Sequence, residues 1–416
     1  MNATVSSVAN RTFAALKVRN YRLYFISQII SFSGTWMQSV ALAWLVLQLT
    51  GSGTALGTVL AMQFLPTLLL APYGGLIADR FEKRKLIIAT QSAAGLLALA
   101  LGIVTLTGVV ELWMVYLLAA GFGSVTALDN PSRQTFVMEM VGPEGISNAV
   151  TLNSVVVNAA RAIGPAVSGV IIATQGVGEC FVFNAISYLA VIIAMFFIRT
   201  DELYVTERRP RAPRQVREGF HYVRQTPVLR TTLLMLAVIG MFTYEFSTTL
   251  PMMSDFVFES GAGGLAAMTT LMGIGAVIGG LIVAAAPAPS PLRLTIVAPA
   301  FGASVLLAAV MPTVVLFYVT MPLVGALSTA TIATSNTTLQ LNSDPQLRGR
   351  VMSLFSMALI GSTPIGGPIV GWVGDHIGPR WSLAIGGTAA IVVAAVGRRI
   401  LVRDSVEEPE PALLPA

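Results

Sequence analysis

Runs of about twenty apolar residues, the length of helix that crosses a hydrocarbon core, recur from Tyr24 to the end of the chain, separated by Gly, Pro and short charged stretches. A single such run can be a buried core helix, but a chain made almost entirely of them has no polar face left to give to water. Composition agrees: 55% of the 416 residues are hydrophobic and 11% are charged, against about a quarter charged in a soluble domain. The expected fold class is therefore an all-α integral membrane protein of about twelve spanning helices.

Several function classes drop out early. The single cysteine, Cys180, allows no intrachain disulfide framework and no cysteine cluster for zinc or iron, and His221 and His376 lie far apart in polar loops. No metal or other cofactor is expected. No Gly-rich phosphate loop with its lysine is present, so ATP-driven pumping has no sequence support. No nucleophile is paired with a histidine base in the manner of a covalent enzyme. The net charge of +5 does not point to nucleic acid, because the basic residues alternate with spans rather than forming one domain face. Residues 1–20 hold Arg11, Lys17 and Arg19 with no apolar stretch or small-residue cleavage site before the first span, so no cleaved signal peptide is expected.

Apolar periodicity and its breakers place helices near 22–49, 55–78, 86–107, 111–129, 149–173 and 178–198, and again near 229–254, 264–286, 293–311, 314–340, 350–373 and 381–402. With this arrangement all but two of the 25 lysines and arginines fall on one side; Arg380 lies on the other and Arg161 inside a span. The charge bias puts both termini in the cytoplasm. The long hydrophilic stretch 199–228, with the run RRPRAPR at 208–214, divides the chain into an N-terminal bundle (1–198) and a C-terminal bundle (229–403), followed by a tail (404–416). The basic linker is suited to orienting the chain, or to meeting anionic lipid. Short matches recur six helices apart: GGLIA at 74–78 with GGLIV at 279–283, and GPAVSG at 164–169 with GPIVG at 367–371. Two related bundles would produce such repeats.

The segment GGLIADRFEKRK at 74–85 joins the second and third helices. It resembles the loop signature of the major facilitator superfamily, Gly-x-x-x-Asp-Arg-x-Gly-Arg-Arg/Lys, with Glu82 where that family usually has glycine. Gly75 permits close helix approach, and Asp79 can accept from a helix N-terminus or an arginine. Gly75, Asp79, Arg80 and Arg84 are therefore expected to form a conformational latch, the alternative being a purely topological role for the basic residues. In the fifth helix, Arg161-Ala162-Ile163-Gly164-Pro165-Ala166-Val167-Ser168-Gly169 is similar to the Gly-Pro-x-x-Gly-Gly signature of the superfamily's antiporters, with Ser168 in place of one glycine. Here Gly164, Pro165 and Gly169 would serve close packing and a bend. RNYRLYF at 19–25, GTWMQ at 34–38, DNPSRQTFV at 129–137 and RGRVMSL at 348–354 resemble the branch containing enterobactin and macrolide exporters. The fourth helix lacks the intramembrane arginine that many drug/proton antiporters carry.

The resemblance implies two six-helix bundles around a central cavity in a bacterial cytoplasmic membrane, exporting a small amphiphile, either a drug-like compound or a siderophore, against protons. It also leaves open lysophospholipid flipping, while a non-transporting scaffold or receptor is the reading from another class. Two ionisable residues fall well inside spans, where they are costly and face protein or water. Arg161 would bind an anion or pair with an acid, and Glu245, the acidic residue placed near a span centre, is the candidate for proton coupling. Gln38, Gln63, Asn153, Asn158, Asn336 and Gln340 are candidate cavity-lining residues, with helix-packing hydrogen bonds as the alternative. The hydroxyls of the tenth helix could instead bond their own backbone. Asp129 is expected to end the fourth helix or to pair with Arg133.

Overall fold

The computed structural model describes residues 14–204, 215–285 and 291–407; among these it leaves undescribed the side chains of 71–76, 78, 79, 215–217, 291 and 402–407. Regular structure among the described residues is helical throughout. After a short turn at Ala14–Lys17 come α1 (Arg19–Thr50), α2 (Gly53–Arg80) and α3 (Lys83–Leu106). The next helical stretch, Leu112–Thr174, has 63 residues, and straight it would be about 95 Å long, three bilayer cores. It is not straight, because Gly142 takes φ 69° and ψ 178° and reverses the chain between α4 (112–141) and α5 (143–174). A side chain at Gly142 would be strained there. α6 is Val177–Phe197.

A linker helix, α7 (Gln215–Gln225), leads to α8 (Pro227–Phe242) and α9 (Phe246–Met252), the latter continued by a π-turn at Met253–Val257. α10 (Gly261–Ala285), α11 (Pro291–Ala309), α12 (Val314–Leu341), α13 (Arg348–Ile360), α14 (Thr363–His376) and α15 (Pro379–Glu407) complete the chain. Eleven stretches among the described residues are long and apolar enough to cross a membrane; the one folded back at Gly142 counts twice, which gives twelve spans.

Five sequence-based readings change. The fourth helix does not end at Asp129 but runs through Pro131 to 141, and the loop expected over 130–148 shrinks to the turn at Gly142. Proline is tolerated inside membrane helices, and the helix continues through Pro131 without a break among these residues. The seventh span is broken between α8 and α9, and the eleventh between α13 and α14. The stretch 199–228 is not all solvated linker, since α7 docks on α13 through Glu218 and Arg350, 2.7 Å apart. The last helix also extends past 404, to Glu407.

Lipid offers no hydrophobic drive between helices, so packing rests on small residues and hydrogen bonds. α2 crosses α4 closely enough for the Thr67 hydroxyl to donate to the Gly123 carbonyl at 2.9 Å. Asn184 of α6 donates to Gln38 of α1 at 2.6 Å. Large apolar side chains such as Leu96, Leu117, Phe196, Leu281 and Val319 are exposed, as suits a perimeter that meets acyl chains rather than water.

The first six spans meet the last six where α2 packs on α14 and α5 on α10, with α1 touching α9. Among the described residues, every hydrogen bond between the two sets converges on Asp375, at the end away from α7. Its carboxylate accepts from Ser52 Oγ (2.7 Å), Gly53 N (2.6 Å), Thr54 N (2.9 Å) and Thr54 Oγ1 (2.6 Å). These groups form the first turn of α2, where unpaired amides and the helix dipole favour an anion.

Candidate functional site

A cavity lies at the junction of the two sets of spans. Trp36, Ser39, Val40 and Ala43 of α1 and Arg161 and Pro165 of α5 line one side; Phe246, Ser247, Leu250 and Pro251 of α9 and Leu265, Thr269 and Met272 of α10 line the other. Glycines bring these walls together. A Cβ on Gly164 would lie 2.6 Å from Trp36 Cβ and 2.7 Å from the Ser33 carbonyl, and one on Gly169 would lie 2.5 Å from Ala266 Cβ. Neither distance leaves room for a side chain, so these glycines set how closely α5 approaches α1 and α10.

Arg161 enters this cavity with its Cζ 4.8 Å from the centre of the Trp36 ring, within cation–π range. Its Nε is buried without a hydrogen-bond partner, and no ion pair to it forms among the described residues. Elsewhere, cations packed into the bundle are matched by protein groups. Arg133 Nε is 2.5 Å from Asp129 and its Nη1 donates to Gln28; Asp129 also accepts from Thr90 Oγ1 (2.6 Å) and Gln91 Nε2 (3.0 Å). Lys83 pairs with Glu139.

Glu245 sits in the gap between α8 and α9. Irregular backbone at membrane depth persists only where protein serves it, and here Thr243 Oγ1 donates to the Gly386 carbonyl at 2.7 Å and Tyr244 Oη to the Ser328 carbonyl at 2.6 Å. Glu245 itself is 2% exposed, and its Oε1 has no hydrogen-bond partner. The carboxyl faces the first turn of α14, with the Thr363 side chain beside it, and a Cβ built on Gly367 would lie 3.4 Å from Oε2. The two breaks in the last six spans are thus neighbours, and this acid stands between them.

The sequence candidates do not form one site. Gln38 and Gln63 line a separate, small space with Leu97, Leu101 and Phe122. Asn158 donates to the Ser154 carbonyl of its own helix at 2.8 Å, and Asn153 is half-buried on the same helix. Gln340 donates to Asn336 within α12. The Thr331 and Ser335 hydroxyls bond the Leu327 and Thr331 carbonyls at 2.8 Å each. Of the latch residues, Gly75 and Asp79 lie outside the residues whose side chains are described. Arg80 is exposed, whereas Arg84 donates to the carbonyls of Met195 (2.7 Å) and Phe196 (3.3 Å) at the end of α6.

Trp36 entered the sequence reading only as part of GTWMQ and not as a cavity residue, and Phe246 and Thr269 were passed over, since a lone aromatic or hydroxyl residue in an apolar helix carries no signal. Asp375 was also passed over, although for it a signal existed. Gly371, Asp375 and Arg380 repeat the spacing of Gly75, Asp79 and Arg84. The correspondence extends to contacts, because Arg380 donates to the carbonyls of Ala309 and Met311, 2.7 Å each, at the end of α11.

Comparison with known proteins places the chain among transporters. The family described as Transmembrane secretion effector matches residues 10–413. The Staphyloferrin A transporter of Staphylococcus aureus is 25% identical over 385 residues, 90% of this chain and 94% of that one. Macrolide efflux protein A of Streptococcus pyogenes is 23% identical over 391 residues, 91% and 96% of the two chains. Among solved structures, a bacterial homolog to the human lysosomal transporter Spinster superposes with a TM-score of 0.71 at 14% identity, covering 95% of this chain and 98% of that one.

Proposed function

This chain belongs to the Transmembrane secretion effector family of major facilitator proteins, secondary transporters of small molecules rather than enzymes, and on that premise we propose that it exports a small amphiphilic molecule in exchange for protons. The substrate is a drug-like compound or a siderophore; the two relatives, a staphyloferrin A transporter and a macrolide efflux protein, support that range. In this reading residues 1–198 and 229–403 are two bundles that rock about the cavity, joined by a cytoplasmic linker (199–228) and with both termini cytoplasmic. The Asp375 contacts then close the outer end. Gly75, Asp79, Arg80 and Arg84 act as the latch at the inner end.

The observation that carries proton coupling is Glu245: a buried carboxyl, unmatched by any cation among the described residues, at the break of a discontinuous helix beside the cavity. Discontinuous helices near the midplane are where secondary transporters hold substrates and coupling ions. A proton is the counter-charge left to this carboxyl, and rocking changes whether water reaches it. Arg161 and Pro165 supply the opposite wall, and Gly164 and Gly169 seat it against α1 and α10.

The test compares sealed vesicles holding the original protein or Glu245→Gln, with and without an imposed pH gradient, over a panel of amphiphiles. The gradient is expected to drive accumulation by the original protein, and Glu245→Gln to abolish that component while keeping equilibrium exchange. Equal gradient-driven transport by both proteins would eliminate Glu245 as the proton carrier.

A further inference from the structure

Among the described residues the cavity has one charged lining residue, Arg161, and no aspartate or glutamate. Glu245 precedes the lining residue Phe246 in sequence, but its carboxyl is turned to Thr363 and Gly367 of α14. Of the lining hydroxyls, Ser39 Oγ is spent on the Trp36 carbonyl (3.1 Å) and Thr269 Oγ1 on the Leu265 carbonyl (2.8 Å), while the exposed Ser247 adds a neutral hydroxyl that carries no charge to oppose an anion. The one charged group is a guanidinium touching a ring face, its Nε unspent, in a space walled mostly by apolar side chains such as Val40, Phe246, Leu250, Leu265 and Met272.

Resting on the reading of this cavity as the transport site, we propose that its substrate is an organic anion, whose carboxylate is taken by Arg161 while a flat apolar body lies against Trp36 and Phe246. An unpaired cation inside a membrane protein is costly and persists where a partner arrives to neutralise it. The planar fork of arginine matches a carboxylate through two parallel N–H donors. The same charge excludes cationic amphiphiles, because no acidic side chain among the described residues lines the walls to receive them.

The experiment measures equilibrium binding of two probes of one shape, 2-naphthoate and its neutral counterpart 2-naphthamide, to the full chain in lipid nanodiscs without any gradient. The original protein is expected to hold 2-naphthoate at least about tenfold more tightly, the value of a charge-assisted pair of hydrogen bonds. Arg161→Met should erase the preference and Arg161→Lys should keep part of it. If Arg161→Met fails to insert, the probe pair on the original protein still decides. Equal binding of the two probes, no saturable binding of either, or a preference retained in Arg161→Met overturns the assignment. Lysophosphatidylglycerol below its micelle concentration should not displace 2-naphthoate; full displacement would give the site to a lipid phosphate and reject the organic acid. Because no gradient enters, a protein that shows the charge preference yet moves nothing in vesicles keeps this site and loses only proton-coupled export.

Discussion

Asp375→Asn is expected to release the closure at the end away from α7. The carboxylate accepts four hydrogen bonds from the first turn of α2, with Gly53 N on Oδ1 and Ser52 Oγ, Thr54 N and Thr54 Oγ1 on Oδ2. An asparagine keeps one acceptor oxygen, so in its better rotamer it retains the three Oδ2 donors and strands the Gly53 amide. One stranded donor costs about 1 kcal/mol. Loss of the negative charge at a helix N-terminus costs about 0.3–1 kcal/mol more, taken at the low end because Asp375 is exposed. A total of about 1–2 kcal/mol shifts a two-state equilibrium about 5–30-fold, enough to populate the form open at this end. Spin labels at Val109→Cys and Ile377→Cys, both exposed beside this junction, in a background with the lone Cys180 replaced by Ala, would report the distance across it by double electron–electron resonance. A longer-distance population should grow in Asp375→Asn. An unchanged distribution in correctly inserted protein would refute the idea that these hydrogen bonds hold the two sets of spans together.

Asp79→Asn, at the proposed inner latch, should move the same distance distribution the other way, toward closure at the Asp375 end; a shift in the same direction would separate the two aspartates. Arg133→Met leaves Asp129 buried against Thr90 and Gln91 alone, and thermal unfolding in detergent should show a loss of about 3 kcal/mol. Gly164→Ala puts a methyl 2.6 Å from Trp36 Cβ and should cost about 1–3 kcal/mol by the same measurement, with unaltered stability arguing against close approach of α1 and α5. Tyr204→Cys, exposed at the start of the linker, should resist membrane-impermeant thiol reagents in intact cells and react once cells are opened; labelling in intact cells would reverse the proposed orientation.

The spans were legible because their signal, apolar length, is what the bilayer selects for. Their interruptions were not. The break at Thr243–Glu245 lies in an apolar run with no glycine or proline at the break itself, and it is held open by Thr243 and Tyr244 donating to carbonyls of α15 and α12. Such long-range partners leave no local mark. Pro131 misled in the opposite direction, since it reads as a helix end but lies inside α4, which runs on to 141. Arg161 and Glu245 stood out by charge in apolar surroundings, and the structure sets them in different places, one against Trp36 and the other against α14. Whether they paired depended on helix rotation, which apolar periodicity in a uniformly apolar helix does not fix.

Arg380 stands opposite nearly every other loop cation, and its guanidinium spans the Ala309 and Met311 carbonyls with its Cζ 5.5 Å from the Phe258 ring centre. Biosynthesis and the finished fold therefore pull on this residue in opposite directions. While the chain is being threaded into the bilayer, before α11 is packed, a positive charge at this position argues for the wrong orientation of the last hairpin. Once packed, that charge splints the start of α15 to the end of α11. Replacing it with glutamine would ease insertion and weaken the result, so the yield of inserted protein and its heat resistance should part company at this one position.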